Sequence, residues 1–251
     1  METNVYLGLD GRAALVTGGA SAVGQAVVRW LARAGCDVAV VDADGAAAER
    51  VAEDLRALDF TAIAVAAVGT SDDAIEAMVE TVIAQFDALD VAVNLLPWTE
   101  GPAGREGRSH GRAGAAALER LRTCCLVEAR AIAAGGEGGV VLNIHPAAVA
   151  AAQRAGARGD DVAHLTRELA LELADRAIRV NAVLGPSSLG SGPAAPERAG
   201  SSPSPLGRPI DADDLARGAV LLASDLARGV TGQILRIDGG LSLGLVRRAR
   251  R

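Results

Sequence analysis

Residues 13–24 read AALVTGGASAVG, and this stretch decides the fold. An apolar run ends in glycines, and a segment of helical period follows them, which predicts a buried strand, a tight turn and a helix. Glycines let backbone N–H groups at the helix start approach a phosphate closely. In this context the turn predicts a dinucleotide-binding site.

Short apolar runs alternate with helix-period segments along the rest of the chain. We predict strands at 13–17, 38–42, 62–67, 91–95, 140–144, 179–183 and 233–237, and helices at 24–34, 46–58, 72–86, 115–134, 161–175 and 211–224. This order predicts one α/β domain over residues 1–251, a Rossmann-type, doubly wound, seven-stranded parallel sheet with helices on both faces.

Helix starts and loops follow from individual residue types. Ser71, Asp160 and Asp211 stand where an oxygen-bearing side chain would cap a helix. Segments 97–114 and 185–209 fit neither period and are predicted to be loops at the carboxyl edge of the sheet.

Composition excludes several classes of function. The net charge of −6 disfavours a nucleic-acid partner, and no apolar run is long enough for a membrane span. Without a basic, apolar N-terminal signal, the chain is expected in the cytoplasm. The three cysteines, Cys36, Cys124 and Cys125, have no metal-ligand spacing, so no metal is expected and they are predicted to be small buried side chains.

The glycine motif at 17–24 and the stretch LTRELALELA at 165–174 resemble the short-chain dehydrogenase/reductase (SDR) family. The resemblance implies that Gly18, Ser21, Val23 and Gly24 contact the cofactor. Ala22 stands where this family's motif has its middle glycine, so its methyl group narrows the pocket.

Further cofactor contacts follow from the same resemblance. Asp42, at the end of the second strand, would bind the adenosine ribose and favour NAD over NADP; alternatively it only caps a turn with Asp44 and Gly45. Asn94 matches an asparagine that the family has at the fourth strand. Leu95, next to it, replaces a smaller residue and adds bulk near the cofactor, so NAD binding is expected to be weak or absent, with a divergent but working site as the alternative.

The catalytic positions depart from the family. SDR enzymes use a serine and a Tyr-xxx-Lys pair, and these positions fall on Pro146, Ala155 and Gly159 in this chain. No lysine occurs anywhere, and the single tyrosine, Tyr6, precedes the first strand.

These vacancies predict a catalytically silent SDR subunit, comparable to the inactive subunit of some heteromeric bacterial members such as the hydroxyacyl-CoA dehydrogenase of anaerobic toluene breakdown. The expected partner is an active SDR paralogue that carries NAD. The pair would form a hetero-oligomer, a tetramer by analogy, through helices 115–134 and 161–175 and the C-terminal strand.

Two alternatives stay open from the sequence. His145 stands at the carboxyl end of the predicted fifth strand, directly after Ile144, where parallel sheets place ligands, and could act as a general base in non-redox chemistry. The degenerate nucleotide pocket could instead serve as a ligand sensor.

Overall fold

The computed structural model describes residues 6–67, 71–95, 110–146, 158–186 and 204–243. The strands are β1 (Ala13–Thr17), β2 (Asp37–Asp42), β3 (Ala62–Ala66), β4 (Val91–Leu95), β5 (Gly139–His145), β6 (Ile178–Leu184) and β7 (Ile234–Arg236). They form one parallel sheet in the order β3-β2-β1-β4-β5-β6-β7. The predicted doubly wound sheet is confirmed.

Six α-helices lie in the described ranges: α1 (Ala22–Arg33), α2 (Gly45–Arg56), α3 (Asp72–Phe86), α4 (His110–Ala134), α5 (Arg158–Glu172) and α6 (Ala212–Ala223). Helices α1, α2 and α6 pack on one face of the sheet, and α3, α4 and α5 pack on the other. The central strands β1, β4, β5 and β6 are therefore covered from two sides, which is why they are near-continuous apolar runs rather than alternating ones.

Alternation along the strands assigns each side chain to a face. Val16, Val93 and Ile144 point to the α1 side, whereas Leu15, Ala92 and Val141 point to the α4 side. Near the carboxyl ends the residues on the α4 side become polar. This change creates the buried polar row described below.

The helix starts confirm two predicted caps and correct a third. The Ser71 side chain accepts a hydrogen bond from Ala74 N, and Asp211 forms a reciprocal capping box with Asp214. Asp160 does not cap a helix, because α5 already begins at Arg158.

The predicted loop at 97–114 is wrong at its end, since α4 begins at His110. Glycines at 111 and 114 have low helix propensity, which hid this first turn in the sequence. Most of this segment, and most of 185–209, lies outside the described residues.

Arg179 ties β6 to the end of α6. Its guanidinium donates to the carbonyl oxygens of Leu222 (2.6 Å), Ala223 (3.0 Å), Ser224 (3.3 Å) and Val230 (3.4 Å). The last carbonyl groups of a helix lack hydrogen-bond partners within the helix, so the guanidinium satisfies them. Its positive charge also interacts favourably with the negative end of the helix dipole.

Arg179→Met is therefore expected to lower the free energy of unfolding by about 3 kcal/mol, because it leaves these carbonyls without their charged donor. Urea unfolding of the variant checks this value. Arg176→Met, at an exposed position of the preceding turn, is the control and should change stability by less than about 0.5 kcal/mol. Equal stabilities of the two variants would show that the contacts do not hold α6.

Within the described ranges, every helix is too short or too polar to span a bilayer.

Candidate functional site

The phosphate loop joins β1 to α1 at the point where the sheet order reverses. Gly18 has a φ of +66°, a left-handed conformation that favours glycine. Ser21 Oγ donates to Gly18 O (2.7 Å) and accepts from Gly24 N (3.1 Å), so one hydroxyl closes the turn and caps α1. Val23 is 3% exposed and anchors the first turn in the core.

Gly24 has no room for a side chain. A Cβ at this position would lie 2.1 Å from Gly18 O and 2.7 Å from Gly19 Cα. The first turn of α1 thus packs directly on the loop backbone. A side chain at this position would push the helix off the loop, and the close approach that glycine allows fits a pyrophosphate site at a helix start.

Asp42 ends β2 beside this loop. Its carboxylate accepts from Ala20 N (3.0 Å) and from Asp44 N (3.1 Å), so it holds the loop and also the turn that leads into α2. The carboxylate lies where the ribose of a nucleotide on the loop would be read.

Leu95 and Ala22 occupy different environments. Leu95 is 5% exposed and belongs to the apolar layer on the α1 side, with its Cβ 3.2 Å from the position of a Cβ on Gly18. Ala22 begins α1 and is exposed. Of these two residues, Ala22 therefore presents its methyl group to solvent at the helix start, and Leu95 supports the loop from beneath.

A row of polar residues crosses the sheet below this edge. Thr17 pairs in register with Asn94, and Asn94 pairs with Asn143. Thr17 Oγ1 donates to Asn94 Oδ1 at 3.2 Å. Asn94, predicted as a cofactor contact, is 2% exposed, and its amide is bonded to protein side chains.

Glu128 of α4 lies on this row and was missed by sequence reasoning. It is 0% exposed and accepts from Asn94 Nδ2 at 2.7 Å. Burial raises the pKa of Glu128 to about 7, although the hydrogen bonds from Asn94 and Cys124 oppose the rise. A sequence signal existed: Leu121, Cys125, Glu128 and Ile132 share one helical stripe, and an acid interrupts it.

The two cysteines of α4 belong to the same cluster. Cys124 Sγ lies 3.2 Å from Glu128 Oε1 and 3.4 Å from Asn94 Oδ1, and Cys125 Sγ donates to Asn143 Oδ1 at 3.4 Å. Burial raises the pKa of both thiols, and the nearby Glu128 charge adds to the rise. These thiols are therefore hydrogen-bonding groups and not nucleophiles. No group of three or more possible metal ligands occurs in the described part of the chain.

His145 is the last residue of β5 and is 2% exposed. It stands two residues after Asn143, so its side chain points to the same face as the polar row. Its carbonyl accepts from Gly185 N at 2.9 Å, which fixes the end of the strand against β6. It is followed by Pro146, the residue that was predicted to occupy the family's serine position.

The other two positions that were predicted to be vacant catalytic positions fall on α5 and just before it in the sequence. Gly159 lies in the first turn of α5. Ala155 lies outside the described residues.

A cavity of about 370 Å³ opens at the opposite, amino-terminal edge of the sheet, with Arg12, Asp90, Glu137 and Arg179 in its lining. Doubly wound sheets bind ligands at the carboxyl ends of their strands. The candidate site is therefore the carboxyl edge, to which Gly18, Asp42 and His145 all belong, each at the end of a different strand.

Comparison with known proteins finds a matching family model and similar dehydrogenases. A family model described as enoyl-(acyl carrier protein) reductase matches residues 18–242. Cis-4-hydroxycyclohexanecarboxylate dehydrogenase of Sinomonas cyclohexanicum is 34% identical, over 91% of this chain and 96% of the relative. D-threitol dehydrogenase of Mycolicibacterium smegmatis is 32% identical, over 94% of both chains.

A solved structure gives the same fold. The 7α-hydroxysteroid dehydrogenase complexed with NADH and 7-oxo glycochenodeoxycholic acid superposes with a TM-score of 0.74. It is 25% identical, and the match covers 92% of this chain and 94% of the other.

These findings overturn the predicted pseudoenzyme. The similar proteins are named as active dehydrogenases, and they match this chain over nearly its whole length. The expectation of a silent subunit was wrong because it treated one set of proton-transfer residues as the only possible one. The two alternative predictions, non-redox chemistry and ligand sensing, are overturned by the same comparison.

Three findings identify the same family: the phosphate loop, the order of the strands and the family-model match over residues 18–242. The chain belongs to the short-chain dehydrogenase/reductase family.

Proposed function

We propose that this protein is an NAD(H)-dependent oxidoreductase that interconverts a secondary alcohol and a ketone on a carbon ring. The observation that carries the proposal is the bonded unit of phosphate loop and Asp42 at the switch point of the sheet. Two similar proteins are named for a hydroxycyclohexanecarboxylate and a hydroxysteroid, which supports the proposal that the substrate carries its hydroxyl group on a carbon ring.

The residues of this chain would bind the cofactor in two places. Backbone N–H groups at the start of α1 would hold the pyrophosphate, and the Asp42 carboxylate would bind ribose hydroxyls and repel a 2′-phosphate. Bound NAD supplies the acceptor for the hydride of the carbinol carbon. The hydroxyl proton must leave at the same time.

We propose His145 as the group that takes this proton. Strands β4, β5 and β6 end in Leu95, His145 and Leu184. Imidazole is the side chain among these that accepts and releases a proton near neutral pH. Replacement of a tyrosine and lysine by a histidine would explain how the chain works without them.

The test is a direct assay of the purified chain. NAD and NADP are titrated by calorimetry, and oxidation of cis-4-hydroxycyclohexanecarboxylate and of a 7α-hydroxysteroid is followed at the absorbance of the reduced cofactor. We expect NAD-dependent oxidation of at least one substrate with a KM of roughly 1 µM to 1 mM, and weaker binding of NADP. Absence of both binding and turnover would refute the proposal.

Assembly with an SDR paralogue through 115–134, 161–175 and the C-terminal strand stays a proposal, as does the cytoplasmic location. The proposed assembly is supported by Leu171, an apolar residue of α5 that is 83% exposed. Arg122 of α4 pairs with Glu172 of α5 at 2.9 Å, so the two helices present one joint surface.

A further inference from the structure

Glu128 is a buried carboxyl group to which the proposed reaction assigns no role. Asn94 and Cys124 are its hydrogen-bond partners, at 2.7 and 3.2 Å. Both protonation states satisfy this cluster. An ionised Glu128 accepts from both partners; a neutral one donates to Cys124 Sγ, whose own proton then turns to Asn94 Oδ1.

None of the ion pairs among the described residues includes Glu128. On its own helix, Cys124 and Cys125 face it; on β4 and β5, Asn94, Asn143 and His145 share its side of the sheet. The acids of α3, which packs on α4, are all exposed: Asp72, Asp73, Glu76 and Glu80. So are the described charged residues of α5 and its histidine: Asp161, His164, Arg167, Glu168 and Glu172. Among the described residues, no arginine therefore forms an ion pair with Glu128.

The cluster lies under one half of the dinucleotide site. In a doubly wound sheet the dinucleotide crosses the switch point, which here lies between β1 and β4. Because Asp42 on β2 would bind the adenosine half, the nicotinamide half would lie over β4 and β5. Asn94, Asn143 and His145 are buried polar residues of these two strands, and Glu128 is bonded to Asn94.

We propose that Glu128 sets how strongly the site prefers the oxidised over the reduced dinucleotide, according to whether it holds a proton. This inference rests on the proposed function. The oxidised nicotinamide ring is cationic and the reduced ring is neutral. An ionised carboxyl group in a low-dielectric interior attracts the first and leaves the second almost unaffected.

The sign of the pH dependence follows. Glu128 loses its proton as the pH rises through about 7. Affinity for NAD⁺ relative to NADH should therefore increase between pH 6 and pH 8, by about tenfold for a charge pair at intermediate range. By reciprocity, bound NAD⁺ favours loss of the proton from Glu128.

The experiment measures the dissociation constants of NAD⁺ and NADH at pH 6, 7 and 8 for the wild type, Glu128→Gln, His145→Asn and the control Glu119→Gln. Glutamine keeps an oxygen for Asn94 and offers an N–H to Cys124, so the cluster stays bonded. Glu119 is an exposed acid on the same helix. We expect the ratio of the NADH to the NAD⁺ dissociation constant to rise about tenfold from pH 6 to pH 8 in the wild type and in Glu119→Gln. In Glu128→Gln this ratio should not change with pH.

Three further outcomes separate the possible failures. A ratio that is flat in the wild type, or that keeps its slope in Glu128→Gln, overturns this inference while the proposed function stands. A slope that disappears in His145→Asn but not in Glu128→Gln assigns the effect to His145 and also overturns it. Absence of binding by either dinucleotide at any pH refutes the proposed function, and this inference with it.

Discussion

Gly24→Ala is expected to weaken dinucleotide binding by at least roughly 100-fold and to lower the free energy of unfolding by about 3 kcal/mol. The added Cβ would lie 2.1 Å from Gly18 O, a backbone atom that cannot move without opening the loop. Opening the loop displaces the N–H groups that point to the pyrophosphate. Calorimetric titration with NAD measures the first effect and urea unfolding the second.

Gly229→Ala is the matched control, because a Cβ there would meet nothing within 4 Å. It should leave binding unchanged and shift stability by less than about 1 kcal/mol. Normal NAD affinity in Gly24→Ala would mean that the α1 start does not carry the cofactor, and the candidate site would be wrong.

The sheet could be predicted because both of its faces are buried. β1 and β4 have the predicted bounds, since a parallel strand covered by helices on two sides must be apolar throughout. Gly18, Gly24 and Asp42 could be placed at one edge for a related reason, because the carboxyl ends of parallel strands meet there. The first turn of α4 could not be predicted, because its glycines have no apolar period to reveal it.

Glu128 shows what a single sequence does not reveal. Its position on the apolar stripe of α4 can be deduced from helical spacing, but its environment depends on the strand register that aligns Asn94 with Asn143. Only the pairing of β4 with β5 brings two amides under the helix. The expected role of the cysteines was incomplete for the same reason: Cys36 and Cys125 are buried and Cys124 is half-buried, but those on α4 are also part of a polar cluster.

The error over function has a chemical origin. In an alcohol oxidation the cofactor takes the hydride, and the protein must remove one proton from the hydroxyl group. Loss of the family's tyrosine and lysine from their predicted positions removes one way of doing so and leaves the phosphate loop and Asp42 in place. A site that keeps these parts needs only one other group able to exchange a proton.

His145→Asn should therefore lower kcat for alcohol oxidation by roughly 10² to 10⁴-fold, the range for loss of a general base. Asparagine keeps a polar side chain at the end of β5 but cannot take up the proton. Binding of NAD should change by less than about twofold, because the phosphate loop is untouched. Steady-state kinetics with the substrate found in the assay, together with NAD titration, separates the two quantities.

The pH profile distinguishes a proton-transfer role from a packing role. With His145 as the base, the wild-type rate of oxidation rises as the imidazole loses its proton, and this limb is absent in His145→Asn. His164→Asn, at an exposed position of α5, is the control and should keep the wild-type profile. If His145→Asn retains both the rate and the rising limb, the proton leaves by another route and His145 serves only to end β5 against β6.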